Sequence, residues 1–404
     1  MKNLASDLLA FHEFGRDTFV TETVCPTPSG KVSVPTYVNE FWTSKQRAGH
    51  PLHEIAYRAC FKPQLPRFFI DRLTKPGEVV YDPFMGRGTT PLEAALAGRT
   101  PLGNDVNPLS TMLVEPRICL PTLEAVEERL AMIDWKAKVK LPEELLVFYH
   151  PDTLQKLCAL RHYLLTTVEL DEAARWVRMV AVNRLTGHSP GYFSVYSLPP
   201  NQAVSVEAQK KINAKLGQTP EPRDVKGLIL KRTRSLLPKC DRRTLEDLAR
   251  AARTSLFTTA PASDTPLIRA ASVDLVVTSP PFLDVVDYAQ DNWLRCWFCG
   301  IDPKTVKITN ASRLPDWREA MASVFRELAR VVRPGGHVAF EVGEVRGGKI
   351  KLEETVIPVG VEAGLKPVLV LINDQEFTKT ANCWGVTNRV KGTNTNRIGV
   401  FVKD

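Results

Sequence analysis

Two short segments of this chain carry residues whose types and spacing suit chemistry. The first is Asp82-Pro83-Phe84-Met85-Gly86-Arg87-Gly88-Thr89-Thr90, directly after the β-branched run Glu78-Val79-Val80-Tyr81. Glycines at this spacing allow a tight turn and let a ligand approach the backbone, and open α/β sheets bind ligands where a strand turns into a helix. The segment is not a dinucleotide fingerprint, because Pro91 stands where a third glycine is needed, and no Gly-Lys-Ser/Thr follows to make a P-loop. Asp105, at the end of the next expected strand, can accept both hydroxyls of a ribose. A leading acid, a glycine turn and a ribose-binding acid suit an adenosine cofactor that has no pyrophosphate. The bland alternative is a tight structural turn.

The second segment is Thr278-Ser279-Pro280-Pro281-Phe282, after the run Val273–Val277. Its prolines remove two backbone donors and stiffen the turn, which leaves carbonyls free to accept from a ligand. Ser279 adds a hydroxyl acceptor, and Phe282 a flat face on which a base can stack. Taken alone, this segment reads more simply as a rigid turn.

Several other candidates favour bland readings. Cys296-Trp297-Phe298-Cys299 is a single CxxC with no second pair or nearby His, so two small core residues on a helix are expected, and no metal site. His188 suits a surface turn. Asp287-Tyr288 could help hold a target base or cap a helix. Trp384-Gly385 lies in a loop that could border a ligand or form a capped hairpin.

Elements must position these segments. The 404 residues contain 44% hydrophobic and 24% charged residues, an ordinary composition that excludes global disorder. No run approaches the roughly 20 apolar residues of a membrane span. The start, MKNLASDLLAFHEFG, lacks a signal-peptide pattern, and eight cysteines are too sparse for a disulfide scaffold; a reducing cytoplasm is expected.

Residues 1 to about 75 read as proline-broken irregular structure followed by a helix. Strand, glycine turn, helix 90–96 and strand 100–103 then begin a doubly wound α/β sheet of Rossmann type. Residues 121–255 read as a mainly helical insertion, with helices expected over Leu141–Tyr149, Leu154–Leu165 and Ala173–Leu185 and turns at 187–191 and 198–201. Strand 273–277, helix 317–331, Arg333-Pro334-Gly335-Gly336, strand 337–342, helix 353–363 and strands 367–371 and 397–402 complete the pattern. The expected division is 1–54, 55–120, 121–255 and 256–404, with one α/β domain built from both ends of the chain.

The net charge is +8, and residues 201–253 carry 13 Lys or Arg against 6 Asp or Glu, a net +7. Such clustering suits phosphate neutralisation, although a solvated helical face has the same composition. Lys210, Lys211, Lys231, Arg232, Arg234, Arg242 and Arg243 are the candidate contacts.

Together the segments resemble the amino-group DNA methyltransferases. Asp82–Thr90 is similar to the family's cofactor motif DPFxGxGTT, and Ser279–Phe282 to its catalytic motif (D/N/S)PP(Y/F/W). Phe61–Pro66, Arg333–Gly336 and Asn394–Arg397 are similar to flanking and late motifs. The likeness covers about 55–108 and 260–404. It implies S-adenosylmethionine as cofactor, bound by Asp82, Phe84, Gly86, Gly88, Thr89, Thr90 and Asp105, with Ser279, Pro280, Pro281 and Phe282 as the catalytic pocket. It also implies a double-stranded DNA partner with the target base flipped out, and room for a cognate restriction endonuclease. Serine at the motif head is typical of the cytosine-N4 branch; adenine-N6 transfer, an RNA substrate and an inactive nucleic-acid-binding protein on the same fold are the alternatives. Arg87 stands where the family carries a small residue, and Phe282 where Tyr is commoner. The order of motifs resembles the α arrangement, with the insertion as target-recognition region. A carbon-5 cytosine enzyme would need a cysteine after its motif proline, where Pro281 and Phe282 stand here.

Overall fold

The computed structural model describes residues 4–27, 30–43, 49–58, 60–197, 203–281, 283, 288–306, 311–345, 350–374 and 395–404. Phe19–Thr27 and Gly30–Asn39 pair as the antiparallel hairpin β1–β2. This corrects the expectation of irregular structure there. Pro26 lies on the outermost strand, and Pro35 just precedes Thr36–Asn39, the part of β2 that pairs on its other side, so neither proline removes a donor the sheet needs.

Further strands are β3 (Val79–Asp82), β4 (Thr100–Asp105), β5 (Leu256–Thr259), β6 (Val273–Thr278) and β7 (Val332–Val342). The short pair β8 (Glu344–Val345) and β9 (Ile350–Lys351) stands apart, and β10 (Lys366–Asp374) and β11 (Thr395–Val402) follow. Among the described residues nine of these strands form one sheet, in the order β1-β2-β10-β11-β7-β6-β3-β4-β5. From β7 to β5 neighbouring strands are parallel, while β11 runs antiparallel to both β7 and β10. The chain winds outward from β3 through β4 to β5, then returns to β6 on the other side of β3. The carboxyl ends of β3 and β6 therefore meet where the winding reverses, which is where open sheets of this kind bind ligands.

Helices cover both faces. Leu4–Leu9 is α1, and α2 (Gln64–Leu73) packs on one face with Val80, Leu275 and Val277. After α3 (Thr89–Leu96) and α4 (Leu109–Val114) come α5 (Leu123–Met132), α6 (Pro151–Thr166), α7 (Glu172–Val182), α8 (Val206–Leu216), α9 (Val225–Leu236) and α10 (Arg242–Thr254). Two short helices, α11 (Tyr288–Asp291) and α12 (Trp293–Cys299), lead to α13 (Leu314–Val331) and α14 (Glu353–Glu362). Buried Trp317, Phe325 and Val356 of the last two pack with Tyr81, Val276 and Phe340 on the opposite face.

Two further expectations need correction. Leu141–Tyr149 is not an α-helix but holds a five-residue 3-10 turn, Glu143–Val147, which follows the helix-disfavouring Pro142. Strand β5 was not expected at all; it pairs with β4 from Leu102↔Leu256 to Asp105↔Thr259. The helical stretch is thus the crossover between β4 and β5. Its buried Leu130, Leu157, Trp176 and Ile229 share one apolar cluster with Leu92, Leu109 and Phe298. That cluster fastens the insertion to the sheet's own helices.

Gly88 is the N-cap of α3 at φ 78°, and a Cβ there would lie 2.2 Å from Val114 Cγ2. Left-handed strain and overpacking together predict that Gly88→Ala destabilises the fold by about 2–5 kcal/mol. Denaturant titration checks this; an unchanged midpoint contradicts it.

Candidate active site

The turn after β3 is built around two buried acids. Asp82 is 1% exposed, and its Oδ1 accepts from the Phe84 amide at 3.0 Å and the Thr278 hydroxyl at 2.6 Å. Asp105 accepts from the Gly86 amide at 2.8 Å on one oxygen and from the Asn107 amide at 2.9 Å on the other. The carboxylate of β4 therefore fixes the glycine turn of β3, with Gly86 at φ 48°. Burial pushes Asp82 up to about 7, against the hydrogen bond from Thr278, and also raises Asp105.

The second turn is joined to the first. Thr278, at the end of β6, donates to Asp82, and Thr90 of α3 donates back to the Val277 carbonyl at 3.0 Å. Buried Trp317 donates from Nε1 to the Pro281 carbonyl at 2.9 Å and pins the proline turn against α13. Ser279 is half-buried, and its hydroxyl bonds to Glu341 of β7. Glu341 also accepts from Asn396 Nδ2 at 3.0 Å, and burial pushes its carboxyl up to about 7. Glu341 escaped sequence reasoning. Its signal was one acid in the otherwise apolar strand end Val338-Ala339-Phe340-Glu341-Val342.

A cavity of about 270 Å³ opens between the two turns. Asp82, Phe84, Gly86, Thr89, Asp105, Ser279 and Pro281 all reach it, so the structure brings together residues from segments almost 200 positions apart. Gly88, Thr90 and Pro280 are buried next to these lining residues in the chain. Tyr57, Cys60, Asn107 and Pro261–Ser263 also contribute to the wall, while Asp264 is exposed beside it. Arg87 donates to Thr89 Oγ1 at 3.1 Å and to the carbonyls of Ile55 at 2.8 Å and Phe61 at 3.3 Å.

Phe282, Asp287, Trp384, Gly385, Asn394 and the expected turn 198–201 lie outside the described residues, as do the contacts of Tyr288. Cys296 and Cys299 are buried in α12, and burial pushes the Cys299 thiol up to about 12, consistent with core cysteines. Among the described residues no group of three His, Cys, Asp or Glu is arranged for a metal ion. His188 is exposed with its ring 6.0 Å from Tyr192. No described helix is long and apolar enough to cross a membrane.

The basic residues lie on α8, α9 and α10, and most meet acids. Lys210 pairs with Glu207 at 2.9 Å, Arg234 with Glu127 at 2.5 Å, Arg242 with Glu246 at 2.8 Å and Arg243 with Asp247 at 4.0 Å. Arg232 binds Glu54, whose side chain is only 2% exposed. Lys211 and Lys231 are exposed.

The family model described as DNA methylase, for the N6/N4 enzymes, matches residues 28–110, a stretch that includes the whole glycine turn and Asp105. Over residues 28–110 the chain is therefore similar to the N6/N4 DNA methylases. The type II methyltransferase M.MjaII of Methanocaldococcus jannaschii is 34% identical over 77 residues, 19% of this chain and 14% of that protein. M.MvaI of Kocuria varians is 31% identical over 117 residues, 28% of this chain and 24% of its own length. The matches thus span less than a quarter of either relative. A TehB-like S-adenosylmethionine-dependent methyltransferase of Corynebacterium glutamicum covers 84% of this chain and 87% of its own, at 10% identity and a TM-score of 0.30. A Methanosarcina mazei methyltransferase covers 83% and 96%, at 10% identity and 0.35. With scores this low, the doubly wound α/β fold rests on the strand order itself.

Two of the raised carboxyls, Asp82 and Glu341, have a consequence for stability. Asp82 and Glu341 ionise near 7 when folded but near 3.8 and 4.5 when exposed, so the native fold retains protons that the unfolded chain has released. Their contribution is therefore complete below about pH 4 and declines as pH rises towards about 7, by up to about 1.4 kcal/mol per pH unit for each group. Asp82→Asn should remove its share of that decline. Denaturation midpoints of variant and wild type should converge at low pH and separate in the variant's favour towards neutrality; parallel curves contradict the assignment.

Proposed function

We propose that this protein transfers a methyl group from S-adenosylmethionine to the exocyclic amine of a DNA base, with cytosine-N4 as the acceptor. The observation that carries the reading is the meeting of Asp82, Asp105 and Ser279 in one cavity at the reversal of the sheet. A cationic nucleoside suits it: Asp105 lines the cavity, each of its oxygens that holds a backbone amide keeps a further lone pair for a ribose hydroxyl, and buried acids with raised pKa gain from a positive charge. The cofactor supplies a methyl group on a sulfonium. Every other contribution comes from the chain.

An exocyclic amine has its lone pair drawn into the ring and is a weak nucleophile. Ser279 Oγ and the Pro280 carbonyl accept its hydrogens and favour a pyramidal nitrogen facing the cofactor side of the cavity. Glu341, hydrogen-bonded to Ser279, sets the orientation of that hydroxyl. Positioning then supplies most of the acceleration, with no covalent enzyme intermediate. A duplex base reaches such a pocket only by leaving the stack, and Phe282 offers the face on which it stacks. Serine at the head of the proline motif supports the cytosine-N4 branch.

Three outcomes test this reading. Asp105→Ala should weaken S-adenosylmethionine binding in calorimetry by at least about tenfold, since each charge-assisted hydrogen bond contributes about 1.5–3 kcal/mol. Ser279→Ala should keep that affinity and slow single-turnover transfer. Mass spectrometry of nucleosides from treated duplex should find N4-methylcytosine; N6-methyladenine overturns the branch, and no methylated base overturns the function. On the insertion, Lys210→Gln, Lys211→Gln and Lys231→Gln together should flatten the dependence of log affinity on log salt, by about 0.9 for each phosphate no longer neutralised. An unchanged slope makes these lysines a solvated surface.

A further inference from the structure

Among the described residues of 52–61 no helix or strand follows the 3-10 turn Pro51–His53, yet Tyr57, Cys60 and Phe61 form part of the cavity wall. The backbone of this stretch is fastened by buried or half-buried arginines from separate elements. Arg117 donates to the Leu52 carbonyl at 3.2 Å, Arg87 to Ile55 at 2.8 Å and Phe61 at 3.3 Å, and Arg295 of α12 to Ala56 at 2.7 Å. Arg117 also donates to the Arg87 carbonyl, which locks two of these clamps together. The ring of Tyr57 lies beneath Arg295, 5.8 Å from its guanidinium carbon, and 3.6 Å from where a Cβ on Gly86 would stand. This strap thus leans directly on the cofactor turn.

One side chain of the strap reaches the other way. Glu54 Oε2 accepts from Arg184, just past α7, at 3.1 Å, and from Arg232 of α9. Asn183 donates to the Glu54 carbonyl at 3.5 Å. The carboxylate is almost wholly buried, whereas the Arg232 side chain remains 31% exposed on the basic helix. A buried carboxylate shared by two guanidiniums is a directional joint, because the carboxylate deprived of its partners would be a poorly solvated charge.

We propose that Glu54 is a positioning residue that links the helical insertion to the cofactor cavity: it holds the strap against α9, so that nucleic acid bound on the insertion tightens cofactor binding. This rests on the proposed methyl transfer for the identity of the two ligands. Ordering α9 orders the strap, and a strap already ordered loses less freedom when the cofactor binds. Linkage makes the effect reciprocal, so the cofactor must tighten nucleic acid by the same factor.

The test has one arm without ligands and one with both. In the free full-length protein, Glu54→Gln and Arg232→Gln should speed amide exchange across residues 52–61 by about tenfold while β3 is unaffected, and Arg232→Lys should restore part of the protection. With ligands, wild-type S-adenosylmethionine Kd should fall at least about fivefold on adding saturating duplex DNA, and by less than about twofold in Glu54→Gln. Unchanged exchange in both variants overturns the joint. Faster exchange with an undiminished coupling ratio, or no coupling in the wild type, overturns the link. A wild-type protein that binds no S-adenosylmethionine overturns both the functional reading and the link, and the exchange arm then decides whether Glu54 positions the strap.

Discussion

The hydrogen bond from Thr278 to Asp82 is the constraint on which the site depends. It joins the ends of two strands that neighbour each other in the sheet but are separated in the chain by the entire helical insertion. Asp82 is too buried to remain charged without donors, and its donors include the Phe84 amide and the Thr278 hydroxyl. Satisfying one acid therefore brings the glycine turn and the proline turn to a fixed separation. Thr90, bonded to the carbonyl beside Thr278, closes the same link from the other side.

Around that link the insertion has a structural logic. It leaves the sheet after β4 and rejoins at β5, so it interrupts neither β3 nor β6. Asp105, the last residue before it departs, is held by Gly86 and Asn107, and Pro261–Ser263, soon after it returns, line the same cavity. The insertion is thus anchored on both sides of the site, and its apolar cluster runs into α3, α4 and α12 without a boundary. An element placed this way can approach a long substrate without displacing the turns.

Much of this was legible in the residues. The β-branched runs at 79–81 and 273–277 and the turns that follow them have local signatures, and both lie where strands were expected. The hairpin of 19–39 was hidden because its prolines read as breakers, and only pairing with β10, far along the chain, shows that they are harmless. β5 is four residues long, too short for a period to register. Glu341 and Arg87 carry no local sign of their partners: one meets Ser279 just past the end of the neighbouring β6, and the other reaches Ile55 and Phe61 in the strap. Charge counting found the basic helices but not that Arg232 faces a buried glutamate from the N-terminal region. Long-range pairing is what a linear pattern omits.

A double-mutant cycle between Asp82 and Thr278 tests the central link most directly. Unfolding free energies of wild type, Asp82→Ala, Thr278→Val and the double variant, measured near neutral pH, give the coupling without any ligand. If Asp82 joins the two turns, the effects should be non-additive, with an interaction energy of about 0.5–3 kcal/mol, as for residues in one hydrogen-bond network. Additivity within about 0.3–0.5 kcal/mol would mean that the two motifs meet without depending on each other.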